Sequence, residues 1–285
     1  MPNTCILTDN SAQFTRHSLT GRNLVQTVPF HIQYNDNHDE NDPVLKISHF
    51  PVSKINGNLP ELNTPSVEDF ISAIRTANQT YSQIIAVIMS SHLSQAYHNL
   101  EMAVHQTRGN SQVQMIDSQT TGLGLGYLVQ QATDLAARGV HPSEIEYRIR
   151  GQIPHIYSQV CLPNLTYLQG TRLLDYPQAV AGEMLSILPV FSFEEGKLVS
   201  IEKVKSFRHL VDNFQEFLDE FSELDYIAVM QSVPPTLQES RNLKEHASIN
   251  FPKTPFSEHS INPVIAALFG PRSVGIFAME KPDAI

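Results

Sequence analysis

The run IIAVIM at residues 84–89 constrains the fold most. Six consecutive apolar residues are short for a helix and leave no polar face, so they read as a strand buried on both sides. Such strands belong to parallel sheets covered by helices on each face. Other short apolar runs recur along the chain: CILTD (5–9), VQTVPFHI (25–32), VQMID (113–117), HIYSQVCL (155–162), DYIAVM (225–230) and SVGIFAM (273–279). Helical patterns lie between them. One starts at Ser66, where Ser66-Val67-Glu68-Asp69 resembles a capping box with Asp in place of Glu or Gln. Others cover 93–106, 120–138, 142–154, 163–169, a stretch ending near Leu185, 206–222, 234–247 and 260–268. Glu194-Glu195-Gly196 separates ILPVFSF (187–193) from KLVSIEKV (197–204) and predicts a hairpin. A weak strand is read near 249–251, and a short one inside the long polar stretch 33–65, at 42–48.

Repeated strand–helix units predict an α/β protein: two α/β domains with mainly parallel sheets flanked by helices and a ligand cleft between them. At 285 residues, with 41% hydrophobic residues, the chain has room for two cores. We place the boundary near 155, giving an N-terminal domain over 1–155 and a C-terminal domain over 156–285.

Charge narrows the partners. The chain carries 19 basic and 29 acidic residues, a net −10. A surface of that sign repels polyanions, so nucleic acid is not an expected partner. Cys5 and Cys161 sit in apolar runs and read as buried hydrophobes. The twelve histidines show no metal-like pairing, so no metal and no cofactor are expected. The N-terminus lacks a basic start followed by an apolar stretch, and no run approaches the ~20 apolar residues of a membrane helix. A cytoplasmic location is the expectation.

Candidate chemistry lies beyond the C-terminal ends of the strands, where open parallel sheets bind ligands. Asp9-Asn10-Ser11, Ser90-Ser91 and Asp117-Ser118 fall there. The turn Ser90-Ser91-His92-Leu93-Ser94 leads into a helix, whose free N–H groups and dipole favour an anion. The same serines also read as plain helix caps. Asp9 and Asp117 admit acid–base work on a phosphorylated or carboxylated substrate, but without a third acidic partner they read as loop or helix caps. The chain has no GxxxxGK loop and no GxSxG elbow, and Gly122, Gly124 and Gly126 do not form a dinucleotide fingerprint. Those glycines sit in a helix, where close packing or a ligand must compensate their cost.

Several blocks together resemble one family. ILTDNSAQF is similar to the opening strand of the DegV family, SSHLSQAY to its SSxLSGTY turn, and VQMIDS to its IDS block with the glycine-rich helix that follows. LTYLQGTRL resembles the family's GGR turn, and LPVFSFEEGKLVSIEKV its hairpin. Order and spacing agree along nearly the whole chain. The resemblance implies a non-catalytic bacterial acyl carrier that holds a long-chain fatty acid and presents its carboxylate to a kinase or acyltransferase. The implied partner is the catalytic subunit of a fatty acid kinase, and peripheral membrane contact is compatible with such a role. The head group falls to the N-terminal domain and the acyl tail to the C-terminal one. Carried over residue by residue, Ser94 matches the carboxylate-binding serine. The expected head-group set is Ser94, Thr64, Asn63, Ser91, Lys205 and Arg172. Three motifs depart from the family pattern, at four residues. Leu62 stands where a threonine is expected, Lys205 where an arginine is, and Leu268-Phe269 where a His-Thr pair is. These losses of donors imply an alternative: a divergent lipid binder or regulator that no longer supports acyl-phosphate formation. A small-molecule enzyme using Asp9, Asp117 and the serine turn is the other alternative.

Overall fold

The computed structural model describes residues 4–16, 19–34, 46–52, 58–107, 112–171, 174–235 and 240–280. The elements run as follows. The first half holds β1 (Thr4–Asp9), β2 (Val25–Val28), β3 (His31–Gln33), β4 (Glu61–Asn63), α1 (Val67–Asn78), β5 (Gln83–Ile88), α2 (Ala96–Gln106), β6 (Gln112–Asp117), α3 (Gly122–Ala137) and α4 (Pro142–Gln152). The second holds β7 (Ile156–Cys161), α5 (Tyr176–Met184), β8 (Leu188–Glu194), β9 (Lys197–Val204), α6 (Phe207–Asp219), β10 (Tyr226–Gln231), α7 (Ser240–Asn250), β11 (Phe256–Ser260), α8 (Pro263–Phe269) and β12 (Val274–Met279).

The chain divides into two compact units, one of Met1–His31 with Asn63–Pro154 and one of Ile32–Leu62 with His155–Ile285. The expected boundary at 155 put the stretch 32–62 with the first domain. Its described residues instead pack with the second: the Val52 carbonyl accepts from Asn164 and the Pro51 carbonyl from the Tyr167 hydroxyl. Local sequence carries no sign of where such a loop docks.

The first unit is built on a four-stranded sheet in the order β2-β1-β5-β6, parallel throughout. Residues 84–88 of β5 are wholly buried, as an apolar run with no polar face requires. The expected second strand over 25–32 breaks at Pro29 into β2 and β3. Ser66 caps α1 in a full capping box: its hydroxyl accepts from the Asp69 N–H while the Asp69 carboxylate accepts from the Ser66 N–H.

Helix α3 is buried along most of its length. Close packing explains Gly126. A Cβ on Gly126 would stand 2.0 Å from the Gln13 carbonyl oxygen, so only glycine lets the strand-to-loop segment after β1 lie against the helix. The Gln13 N–H then donates to the Gly122 carbonyl at 2.9 Å. Further along, Gln130 donates to Thr15 at 2.8 Å and accepts from the Arg16 N–H at 2.9 Å, and Arg16 pairs with Asp134.

The second unit corrects one expectation. Its six-stranded sheet, in the order β11-β10-β12-β7-β8-β9, is mostly antiparallel, and only β10 and β11 run parallel. Strand–helix alternation does not fix strand direction. β12 returns between β10 and β7, antiparallel to both, and β8–β9 is a hairpin. At its tip Glu195 and Gly196 both take positive φ, 49° and 84°, the twist a two-residue turn needs. Leu210, Val211, Phe214 and Leu218 of α6, with Leu243 of α7, cover one sheet face together with Ile227, Val229 and Ile276. The weak strand expected at 249–251 is the end of α7, and the edge strand there is β11. Of the short strand expected at 42–48, residues 42–45 lie outside the described ones, and Ile47–His49 form a 3-10 turn.

Candidate functional site

The C-terminal ends of β1, β5 and β6 meet at one edge of the first unit's parallel sheet, and carboxylates lace them together. Asp9, at the end of β1, is fully buried. One of its oxygens accepts from the Ser11 N–H at 2.9 Å and the Ser11 hydroxyl at 2.5 Å, the other from the Met89 N–H at 2.7 Å. Burial raises its carboxyl above the usual range, and these donors pull the other way. Asp117, at the end of β6, accepts from the Ser91 hydroxyl at 2.5 Å, the Ser91 N–H at 3.3 Å and the Gln119 N–H at 3.0 Å. Two backbone bonds zip the same loops: Ser90 N–H to the Thr120 carbonyl at 2.9 Å, and Ser118 N–H to the Ile88 carbonyl at 3.0 Å.

Residues 90–94 form a tight turn. The Leu93 and Ser94 N–H groups both donate to the Ser90 carbonyl, at 3.0 and 3.4 Å, and the Ser90 hydroxyl accepts from His92 N–H at 3.2 Å. Helix α2 begins at Ala96, so Ser94 precedes the helix rather than lying in its first turn. Its hydroxyl oxygen accepts from the Ala96 N–H at 3.3 Å. No acceptor among the described residues takes the Ser94 hydroxyl proton. That proton is available to an anion at the start of α2, where the dipole also favours one. His92 is exposed on the outside of the turn.

The adjoining segment is the end of β4, Asn63, and the loop that follows it. Asn63 is exposed and Thr64 half-buried, and neither side chain is bonded to a described residue. The Asn99 side-chain amide, one turn into α2, donates to the Pro65 carbonyl at 2.7 Å and ties this loop to the helix that Ser94 precedes.

A family model described as "Uncharacterised protein, DegV family" matches residues 3–281. The chain belongs to the DegV family. A DegV domain-containing protein of Staphylococcus aureus strain COL is 25% identical over 268 residues, covering 93% of this chain and 89% of that one. Among solved structures, the chain is similar to a DegV family protein from Thermus thermophilus described for fatty acid binding. That match has a TM-score of 0.82 and 19% identity, over 98% of this chain and 100% of that one. It is also similar to the Streptococcus pneumoniae fatty acid kinase (Fak) B3 protein loaded with linoleic acid. There the TM-score is 0.80 and the identity 17%, over 98% and 99% of the two chains. At those identities the two structures establish the shared DegV fold of two α/β units.

Within that fold, Ser91, Ser94, Asn63 and Thr64 all belong to the first unit, at the turn before α2 or in the loop tied to α2. Ser91 differs from its neighbours: its hydroxyl is committed to Asp117. Lys205 belongs to the second unit, exposed between β9 and the Ser206 cap of α6. Arg172 lies outside the described residues. Leu268 and Phe269, in α8, are 8% and 1% exposed. Sequence inspection singled out Asp117 only as one of two carboxylates; its bond to Ser91 depends on strand order. Asn99 gave no signal at all, since an amide on an amphipathic helix looks like any exposed polar residue.

Proposed function

We propose that this DegV protein binds the carboxylate of a long-chain fatty acid at the 90–94 turn and presents it to a partner kinase or acyltransferase. The observation that carries this is the Ser94 hydroxyl, whose proton no described residue takes, at the start of α2 on a turn fixed on two strands. Thr64 and Asn63 supply further donors from the tied loop. Lys205 and Arg172 complete the set on the family resemblance alone. So does the assignment of the acyl tail to residues 156–285. The similar structures, one described for fatty acid binding and one loaded with linoleic acid, support the choice of ligand.

An acyl chain contributes roughly 0.8 kcal/mol per buried CH₂, so the tail supplies affinity while one or two donors select a carboxylate. The protein does no chemistry of its own in this proposal. Asp9 is wholly buried under three donors, and Asp117 is taken up by Ser91 and Gln119, so neither is poised as a general base.

Organic extraction of the purified protein followed by mass spectrometry tests the ligand class, and a co-purified fatty acid is the expected result. Ser94→Ala should weaken fatty-acid affinity about tenfold, the equivalent of one hydrogen bond to a charged group. Unchanged affinity would remove Ser94 from the site. A photo-crosslinking group at the far end of the acyl chain should label residues 156–285.

A second proposal rests on α8. Leu268 and Phe269 are buried and have no side-chain donors for a head group. They favour a lipid binder that does not support acyl-phosphate formation. Loaded protein mixed with a fatty acid kinase catalytic subunit and ATP decides between the two, since efficient acyl-phosphate production excludes the second.

A further inference from the structure

The geometry points to Asp117 as the positioning residue of the head-group turn: its carboxylate fixes Ser91 and thereby the turn that carries the Ser94 hydroxyl. This rests on the proposed carboxylate site and adds to it a residue that does not touch the ligand.

Ser91 has two groups that could face an incoming anion, its hydroxyl and its N–H. Both are held by Asp117, at 2.5 Å and 3.3 Å. The carboxylate also holds the Gln119 N–H at 3.0 Å, and Gln119 takes a positive φ of 54°, unusual for a residue with a side chain. Asp117 therefore stabilises two loops at once: the 90–94 turn and the 118–121 link into α3. The backbone bonds between Ser90 and Thr120 and between Ser118 and Ile88 continue the same seam. Asp117 pairs in register with Ile88, two residues before Ser90, so the carboxylate stands beside the turn it holds.

The consequence for Ser94 follows from the turn's closure. Leu93 and Ser94 both donate to the Ser90 carbonyl, so the placement of Ser90 and Ser91 sets where Ser94 stands relative to α2. Without Asp117 the Ser91 hydroxyl and N–H would lose their acceptor, and backbone bonds alone would tie the turn to the link after β6. An oriented donor is worth more than a mobile one because its ordering cost is already met in the free protein.

The test is a double-mutant cycle read twice, once as fatty-acid affinity by fluorescence titration and once as thermal stability. Asp117→Ala should weaken affinity about tenfold in the wild-type background and about twofold or less where Ser94 is already Ala, because it acts through that hydroxyl. Its effect on thermal stability should be the same in both backgrounds. Ser91→Ala removes the same bond from the other side and should reproduce the loss. Asp117→Asn keeps an acceptor for Ser91 and should restore most of the affinity. If Asp117→Ala does not fold, Ser91→Ala and Asp117→Asn carry the cycle. Equal losses of affinity in both Ser94 backgrounds, or none in either, would overturn the positioning role. If Ser94→Ala alone leaves affinity unchanged, it is the carboxylate site itself that fails, a distinguishable outcome.

Discussion

Gly126→Ala should be strongly destabilising although alanine is the better helix former. The new Cβ would lie 2.0 Å from the Gln13 oxygen, 2.4 Å from its carbonyl carbon and 3.0 Å from its nitrogen. All three are backbone atoms, so no rotamer change relieves the contact. Reaching a separation of roughly 3.5 Å requires the 12–16 segment to move about 1.5 Å. That movement strains the Gln13–Gly122 bond and the Gln130 bonds to Thr15 and Arg16. Overpacking costs about 1–3 kcal/mol, and each weakened hydrogen bond about 1 kcal/mol. Helix propensity returns about 1 kcal/mol. The net is a loss of about 3–5 kcal/mol, or roughly 6–20 °C in Tm. Gly151→Ala is the control. It lies in α4 with nothing within 4 Å of its Cβ position, so it should gain about 0.5–1 kcal/mol. Urea denaturation and thermal melts of both variants read the difference. A Gly126→Ala protein as stable as the parent, or two variants shifted in the same direction, would refute the packing account.

Two further outcomes follow from the fold. Burial pushes both Cys5 and Cys161 thiols up to about 12, so a thiol reagent at pH 8 should label neither in the native protein and both in denaturant; fast native labelling would contradict their burial. Glu195→Asn should stabilise the second unit by about 0.5–1 kcal/mol, because asparagine tolerates the positive φ that glutamate holds under strain; a neutral or lower melting temperature would count against the turn geometry.

Much of the first unit was legible in the residues. The run at 84–89 had to be a buried strand because no face of it is polar, and the Ser66 capping box is written in four consecutive residues. The glycines of α3 called for close packing or a ligand, and only the fold shows that at Gly126 the Gln13 backbone packs there. The serine turn was also visible, as an anion site or a cap. In the structure the Ser94 hydroxyl oxygen accepts from the Ala96 N–H at the start of α2, and no described residue takes its proton. Periodicity could not give strand direction in the second unit, since apolar alternation reads the same in either sense, and β12 inserts between strands far from it in sequence.

The sequence by itself determined where most strands and helices form, because hydrophobic period, caps and turn residues act over a few residues. It also carried the family membership, in an ordered set of short blocks. Tertiary structure alone decided which groups meet. Ser91 and Asp117 lie 26 residues apart and are joined because β5 and β6 pair in parallel, while Asp9 reaches Met89 across 80 residues because β1 and β5 are neighbours. Long-range pairing is what turned a string of serines into a turn with the Ser91 hydroxyl held by Asp117 and the Ser94 hydroxyl bonded, among the described residues, only by the Ala96 N–H.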